Sequence, residues 1–217
     1  MRWLVFLLPF SALQALDFEF AVQEMIYTGT SLNRYDLCPG FCGCFSRRLS
    51  ENRIAITESW KHKTELQFSD FLIIDLHETV HGFSKTCPGD APIHTCLFRF
   101  SDRIGAVLHT HSVSTLALSR LLLGQSSLII DGVQIPSLFH RSHHCQIEIP
   151  IFENCQSFST LAADLESVLK KKKNVFGFLI RGDGFYTWGW DMQEARSRAE
   201  FFEKLFQTEI LLRCSCP

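Results

Sequence analysis

The sequence predicts a mixed α/β fold in which helices cover a central sheet, and three observations carry that prediction. Six short runs rich in β-branched and aliphatic residues occur along the chain, most of them bounded by Gly, Pro, Asn or Asp. Helical periodicity fills stretches between and after them. Of 217 residues 46% are hydrophobic and 20% charged, enough apolar material for one core. A domain of about 100–200 residues is usual, and a chain of this size buries roughly 70% of its unfolded surface.

Taken in order, the first fifteen residues are a segment of their own. Arg2, the apolar run Trp3 to Phe10 and then Ser11-Ala12-Leu13-Gln14-Ala15 have the layout of a secretory signal peptide. The single positive charge and the interruption at Pro9 fit an N-terminal helix instead, so both readings stand, with a cytoplasmic location expected and export as the alternative. The run is too short to cross a membrane. Residues 16–217 are expected to form a single domain.

Strands are predicted at Ile54–Thr57, Phe71–Leu76, Ala106–His109, Ser127–Ile130, Ile147–Ile151 and Val175–Ile180. A helix over Thr160–Leu169 places Leu161, Leu165, Val168 and Leu169 inward, and the lysine run Lys170–Lys173 closes it where cations suit the helix dipole. A second helix spans Asp191–Gln207. Asp191 caps its first turn, Glu194 takes the capping-box position, and Met192, Ala195, Ala199, Phe202 and Phe206 share one face.

A formal net charge of −2 excludes a strong electrostatic pull toward nucleic acid. The nine cysteines are odd in number and form no matched pair of CxxC knuckles, which excludes a structural zinc ribbon. The cluster Cys38, Cys42, Cys44 and the tail pair Cys214, Cys216 are compatible with buried thiols, with disulfides or with metal binding.

Two stretches could carry chemistry. Gly105-Ala106-Val107-Leu108-His109-Thr110-His111-Ser112 is an apolar strand ending in histidines at i and i+2, which project to one side and can reach one ion. Spacing alone equally allows histidines satisfied by backbone and water. Leu179 to Gly189 runs from a strand through Arg181-Gly182-Asp183-Gly184 into an aromatic run, where the glycines permit either a plain hairpin turn or close approach to a ligand. His140, His143 and His144 read as part of a solvated loop.

From about Ile26 to Phe206, in chain order, the sequence resembles the methylthioribulose-1-phosphate dehydratases of the class II aldolase/adducin superfamily. Four segments carry the resemblance: Arg53 to Lys63 with Asp70-Phe71-Leu72, Ile104 to Ser114, Ile149-Pro150-Ile151-Phe152-Glu153-Asn154, and Leu179 to Leu205. It implies a three-layer α/β fold with a largely antiparallel sheet, assembled as a homotetramer. It also implies one zinc ion per subunit, held by three histidines, and dehydration of a phosphorylated methylthio-ketopentose to a diketo product in methionine salvage. Membrane and nucleic-acid partners are not implied.

Carried over residue by residue, two metal ligands fall on His109 and His111 and the third on Asp183, because the family's Arg-Gly-His-Gly reads Arg181-Gly182-Asp183-Gly184 here. A carboxylate oxygen is an acceptable zinc ligand, at the cost of a less positive and less Lewis-acidic site. The family's acid/base glutamate falls on Gln134, whose amide carries no proton near neutral pH. Asp131, close in sequence but on the opposite side of an extended stretch, and Asp90 are the candidate substitutes, and Asp90 falls near a position that contributes to the family's active site. The phosphate cradle retains Gly43, Ser46, Ser59 and Lys61, while Cys44 and Trp60 replace smaller or amide residues. These departures leave open a non-catalytic binding or assembly protein, and an aldolase or epimerase with another sugar phosphate.

Overall fold

The computed structural model describes residues 10–81, 86–133, 139, 146–154, 157–172 and 174–215. Nine strands form one sheet: β1 (Cys44–Ser50), β2 (Arg53–Thr57), β3 (Phe71–Asp75), β4 (Val80–His81), β5 (Ala106–Thr110), β6 (Ser127–Ile130), β7 (Ile147–Phe152), β8 (Gly177–Ile180) and β9 (Phe185–Gly189). Their order is β4-β3-β2-β1-β5-β9-β8-β7-β6, and every pairing is antiparallel except β7 with β8. Among the described residues five α-helices accompany the sheet: α1 (Phe10–Asn33), α2 (Ala91–Phe100), α3 (Val113–Leu121), α4 (Phe158–Lys171) and α5 (Met192–Ser215).

The period-2 alternation of strands divides the apolar residues between two faces. Ile54, Ile56, Leu72, Val107, Phe178, Tyr186 and Trp188 join the apolar faces of α2 and α4 in one core cluster. Their strand neighbours Phe45, Ala55, Phe71, Ala106 and Leu108 pack with residues of α1 and α5 on the other face. Farther along that face, α3 and the end of α5 cover β6 and β7 through Leu118, Leu122, Phe202 and Phe206. Helix, sheet, helix is the three-layer arrangement expected.

The predicted strands and helices are present, with ends shifted by at most two residues except at the C-terminal end of α5, which runs on from the predicted Gln207 to Ser215. Val175–Ile180 begins two residues late, at Gly177, where a side chain would stand 2.6 Å from the Tyr186 carbonyl oxygen. Strand β1 was not predicted, because Arg47 and Arg48 break its apolar pattern. Both cations are satisfied inside the fold: Arg47 pairs with Glu24 of α1 at 3.0 Å, and Arg48 donates to the carbonyls of Phe98, Ser101 and Ile104.

Caps follow the expected chemistry. The Asp191 carboxylate accepts from the Glu194 backbone N–H at 2.8 Å, and Ser157 caps α4 through the Thr160 N–H at 3.4 Å. Lys170 and Lys171 lie in the last turn of α4, with Lys170 paired to Glu166. Cys38, Cys42, Cys44, Cys87, Cys96 and Cys214 are free thiols. Residues 1–9 of the leader segment, Gln134, and the histidines at 140, 143 and 144 lie outside the described residues. The boundary drawn after residue 15 falls within α1.

Candidate metal centre and its cavity

Two strand ends and one hairpin build the centre. Strand β5 pairs with β9 so that His109 lies opposite Tyr186, and β8 turns back into β9 through Arg181-Gly182-Asp183-Gly184. The turn is closed by the Asp183 N–H to the Ile180 carbonyl at 3.1 Å and the Ile180 N–H to the Gly184 carbonyl at 2.9 Å. Its glycine-rich sequence therefore makes a hairpin, and the same hairpin brings Asp183 to the two histidines. The hairpin and ligand-approach readings of this stretch are both satisfied by one geometry.

Asp183 Oδ2 lies 3.7 Å from His109 Nε2 and Asp183 Oδ1 lies 3.6 Å from His111 Nδ1. The two imidazole centroids are 4.4 Å apart, as i and i+2 spacing from a strand requires. Arg181 anchors this hairpin to α3, donating to the carbonyls of Ser119 in its last turn and of Leu122 and Gln125 just beyond its end. On the far side, the His111 N–H donates to the Leu37 carbonyl at 2.7 Å. Ser112 then starts α3, accepting from the Thr115 N–H and donating to the buried Glu203 carboxylate at 2.6 Å.

Asp90, just before α2, approaches His109 from the opposite side, its Oδ2 3.3 Å from Nδ1 and 3.3 Å from the Tyr186 hydroxyl, which donates to it. The Tyr186 ring stacks on His109 with centroids 4.0 Å apart. Burial works to raise the Asp90 pKa, but its contacts with His109 and His94 outweigh burial and hold the carboxyl well below the usual range. The group is therefore ionised near neutral pH. Burial also pushes the Tyr186 hydroxyl and the Cys44 thiol up, and it lowers His111 to about 3, so that imidazole is neutral and free to coordinate.

His109 Nε2 is buried and has no hydrogen-bond partner. An unpaired buried nitrogen is costly unless an ion satisfies it. It faces a carboxylate and a second imidazole, with the three donor atoms within 4.8 Å of one another. Two imidazole nitrogens and a carboxylate oxygen are a donor set that fits a divalent cation.

These residues form the wall of a cavity of about 580 Å³ lined also by Phe41, Gly43, Cys44, Glu58, Ser59, Trp60, Gly89 and Phe158. Its size is that of a small-molecule site. Of the residues expected to contact phosphate, Gly43 and Ser59 line it. Gly43 has φ +86°, and a side chain there would lie 2.7 Å from the His109 carbonyl oxygen, so this approach requires glycine. Ser46 does not reach the cavity: it is fully buried and bonded to His94 Nδ1 at 2.6 Å. Lys61 is drawn to Asp70 at 2.9 Å and Glu58 at 3.4 Å rather than into the wall.

Trp60 stands where the resemblance expects glycine, and its backbone has φ +61°, the left-handed region that glycine favours. Its side chain is 82% exposed at the cavity mouth. Asp131 is exposed and accepts from its neighbour's N–H, Gly132, at 2.8 Å, away from the cavity lining. Reasoning from sequence missed His94 and gave no separate role to Tyr186. The signal for His94 was its i+4 spacing from Asp90 at a helix start.

The family model for the class II aldolase and adducin N-terminal domain matches residues 23–210. A methylthioribulose-1-phosphate dehydratase of Pseudomonas aeruginosa is 37% identical over 190 residues, which cover 87% of this chain and 92% of the relative. The protein of that name from Pectobacterium atrosepticum is 39% identical over 178 residues, 81% of this chain and 86% of its own. The solved L-fuculose-1-phosphate aldolase from Thermus thermophilus has a TM-score of 0.71 at 20% identity, covering 90% of this chain and 97% of that one. At such identity the structural likeness concerns the fold alone.

Proposed function

Because the chain belongs to the class II aldolase and adducin family, we propose that it is a hydro-lyase that dehydrates methylthioribulose 1-phosphate in methionine salvage. The convergence of His109, His111 and Asp183 beside the Asp90 carboxylate is the observation that carries this reading. These three residues would hold a zinc ion. Bound there, the ion supplies Lewis acidity that stabilises negative charge on the substrate's oxygens.

The reaction removes a proton from carbon 3 of the ketose and the hydroxyl from carbon 4, a net loss of one water. Asp90, ionised and lining the cavity, is the group in reach to accept a proton, whereas the amide at Gln134 is not a proton carrier. Tyr186 donates to Asp90 and stacks on His109, which keeps both groups oriented. Gly43 and Ser59 provide backbone and hydroxyl donors for the phosphate, and Phe41, Trp60 and Phe158 shield the mouth from water. The reading includes a homotetramer, supported by exposed apolar residues such as Val113, Leu123 and Trp190. It also includes a cytoplasmic location, supported by relatives named for a metabolic reaction. Among the described residues no helix is long and apolar enough to cross a membrane.

One observation favours a second reading, a non-catalytic binding protein: among the described cavity-lining residues there is no lysine or arginine, and Trp60 stands at the mouth. The deciding experiment is an assay of zinc-loaded, folded protein for diketo product from methylthioribulose 1-phosphate. Turnover supports the dehydratase, and none with one zinc per chain bound overturns it.

A further inference from the structure

Among the described residues two buried side-chain nitrogens have no hydrogen-bond partner, Nε2 of His109 and Nε2 of His94. The first faces the centre already described. The second belongs to a different group of three donors, Cys44, Asp90 and His94, whose ligand atoms also lie within 4.8 Å of one another. We propose that these three residues form a second cation site, for a thiophilic divalent ion of the zinc and cadmium type.

Local geometry aims the donors at one point. His94 is fully buried, and its Nδ1 is held by Ser46 at 2.6 Å, so the ring cannot turn and Nε2 points toward Asp90. The Nε2 to Asp90 Oδ2 distance is 3.7 Å, too long for a hydrogen bond. The same oxygen is 3.3 Å from both His109 Nδ1 and the Tyr186 hydroxyl, so three partners surround it and none approaches closely. Cys44, on β1, makes weak sulfur contacts to Thr57 at 3.4 and 3.9 Å, and its thiol also meets the Asp90 carboxylate.

Sulfur, nitrogen and carboxylate oxygen together select a zinc-like ion over calcium or magnesium, which take oxygen alone. Ligand bonds of about 2.0–2.3 Å put tetrahedral donors roughly 3.3–3.8 Å apart, a separation that His94 Nε2 and Asp90 Oδ2, at 3.7 Å, already have. Binding replaces the thiol proton, which leaves to solvent, and the ion then carries a thiolate, an imidazole and a carboxylate. The site stands on its own geometry and does not rest on the dehydratase reading, but the two share Asp90: an ion held here engages the carboxylate which that reading uses as its proton acceptor, so filling this site and proton transfer by Asp90 exclude each other.

The test is titration of metal-free, full-length protein with Cd²⁺, following bound metal and the ultraviolet thiolate-to-cadmium charge-transfer band. Two equivalents are expected, one of them with the band. Cys44→Ser should keep one equivalent and lose the band, while Cys42→Ser and Cys214→Ser, at exposed positions, should keep both. His111→Ala should lose an equivalent and retain the band, which separates the two sites. If Cys44→Ser does not fold, His94→Asn replaces it, retaining an amide for Ser46 while deleting Nε2, and should again lose the band. A single equivalent in wild type, as when a bridging water fills the group, or a band that survives both Cys44→Ser and His94→Asn, overturns the proposal.

Discussion

Gly184 backs onto His109: a methyl group on its α-carbon would lie 2.7 Å from His109 Nε2 and 2.4 Å from the Thr110 carbonyl oxygen. The missing side chain is what leaves the ion-facing nitrogen its space, so the hairpin and the strand can approach only with glycine here. Gly184→Ala should therefore displace either the imidazole or the hairpin, at an overpacking cost of about 1–3 kcal/mol. Zinc affinity, measured by competition with a chelator, should fall at least as sharply as thermal stability. Unchanged affinity would show that His109 is not an ion ligand.

The proposed ligand set makes a direct prediction for metal content. Elemental analysis of His109→Ala should show about one zinc equivalent per chain fewer than wild type, because two remaining donors hold zinc poorly. Equal content in the two proteins would remove His109 from the site.

Arg181 links the ligand hairpin to α3, and its side chain is only 9% exposed. Its partner Glu153 is 73% exposed, so that ion pair contributes little, and the bonds to helix-end carbonyls carry the effect. Arg181→Met, which keeps the apolar stem, should destabilise the protein by about 1.5–3 kcal/mol in denaturant titration. It should also weaken zinc binding, since Asp183 is two residues away. Loss of stability with intact zinc affinity would mean that the hairpin is held by its own backbone bonds.

What the sequence made legible follows from where the physics is local. The histidine pair was readable because strand geometry fixes i and i+2 to one side, and the α5 cap because Asp191 and Glu194 act within one turn. Strand β1 was hidden, since Arg47 and Arg48 look like surface residues until the distant carbonyls they bind are known. Asp183 could be assigned through the family resemblance, yet its approach to His109 depends on a hairpin 74 positions farther along the chain. Ser46 and Lys61 looked like phosphate contacts in a linear pattern, but His94 and Asp70 claim them in three dimensions. Such competition between partners is a long-range property.

Burial, with His109 adding its influence, lowers the His111 pKa from 6.5 to about 3. The unfolded chain takes up this proton near pH 6.5, while the folded protein refuses it until about pH 3. Stability of the metal-free protein should therefore fall as pH drops through that window and level off below it. The slope from this group is on the order of 1 kcal/mol per pH unit. Asp90, lowered below 3.8, contributes its own loss only at more acidic pH, and the other lowered carboxyls, Asp75, Glu148 and Glu166, are common to wild type and variant, so the difference between the two proteins isolates His111. Melting temperatures of chelator-treated wild type and His111→Gln between about pH 6.5 and about pH 4 should diverge in slope, the variant being flatter. Parallel curves would refute the assignment.

Two family positions differ here by single side chains, and both bear on the same step. Asp183→His replaces an anionic ligand with a neutral imidazole, which raises the positive charge available to stabilise the substrate's oxygens. Gln134→Glu, placed by sequence correspondence alone, supplies a proton carrier where an amide stands, and such groups contribute about 10²–10⁴-fold. Each change should raise turnover of methylthioribulose 1-phosphate, and the pair should exceed the product of the single effects, because a stronger Lewis acid and a positioned carboxylate serve one proton transfer. The assay is diketone formation by wild type and the three variants, with zinc content and folding measured for each. A folded, zinc-loaded double variant without activity would locate the controlling loss in the phosphate end of the cavity. There Cys44 and Trp60 occupy the wall and Lys61 is committed to Asp70, and the substrate assignment would then have to be given up.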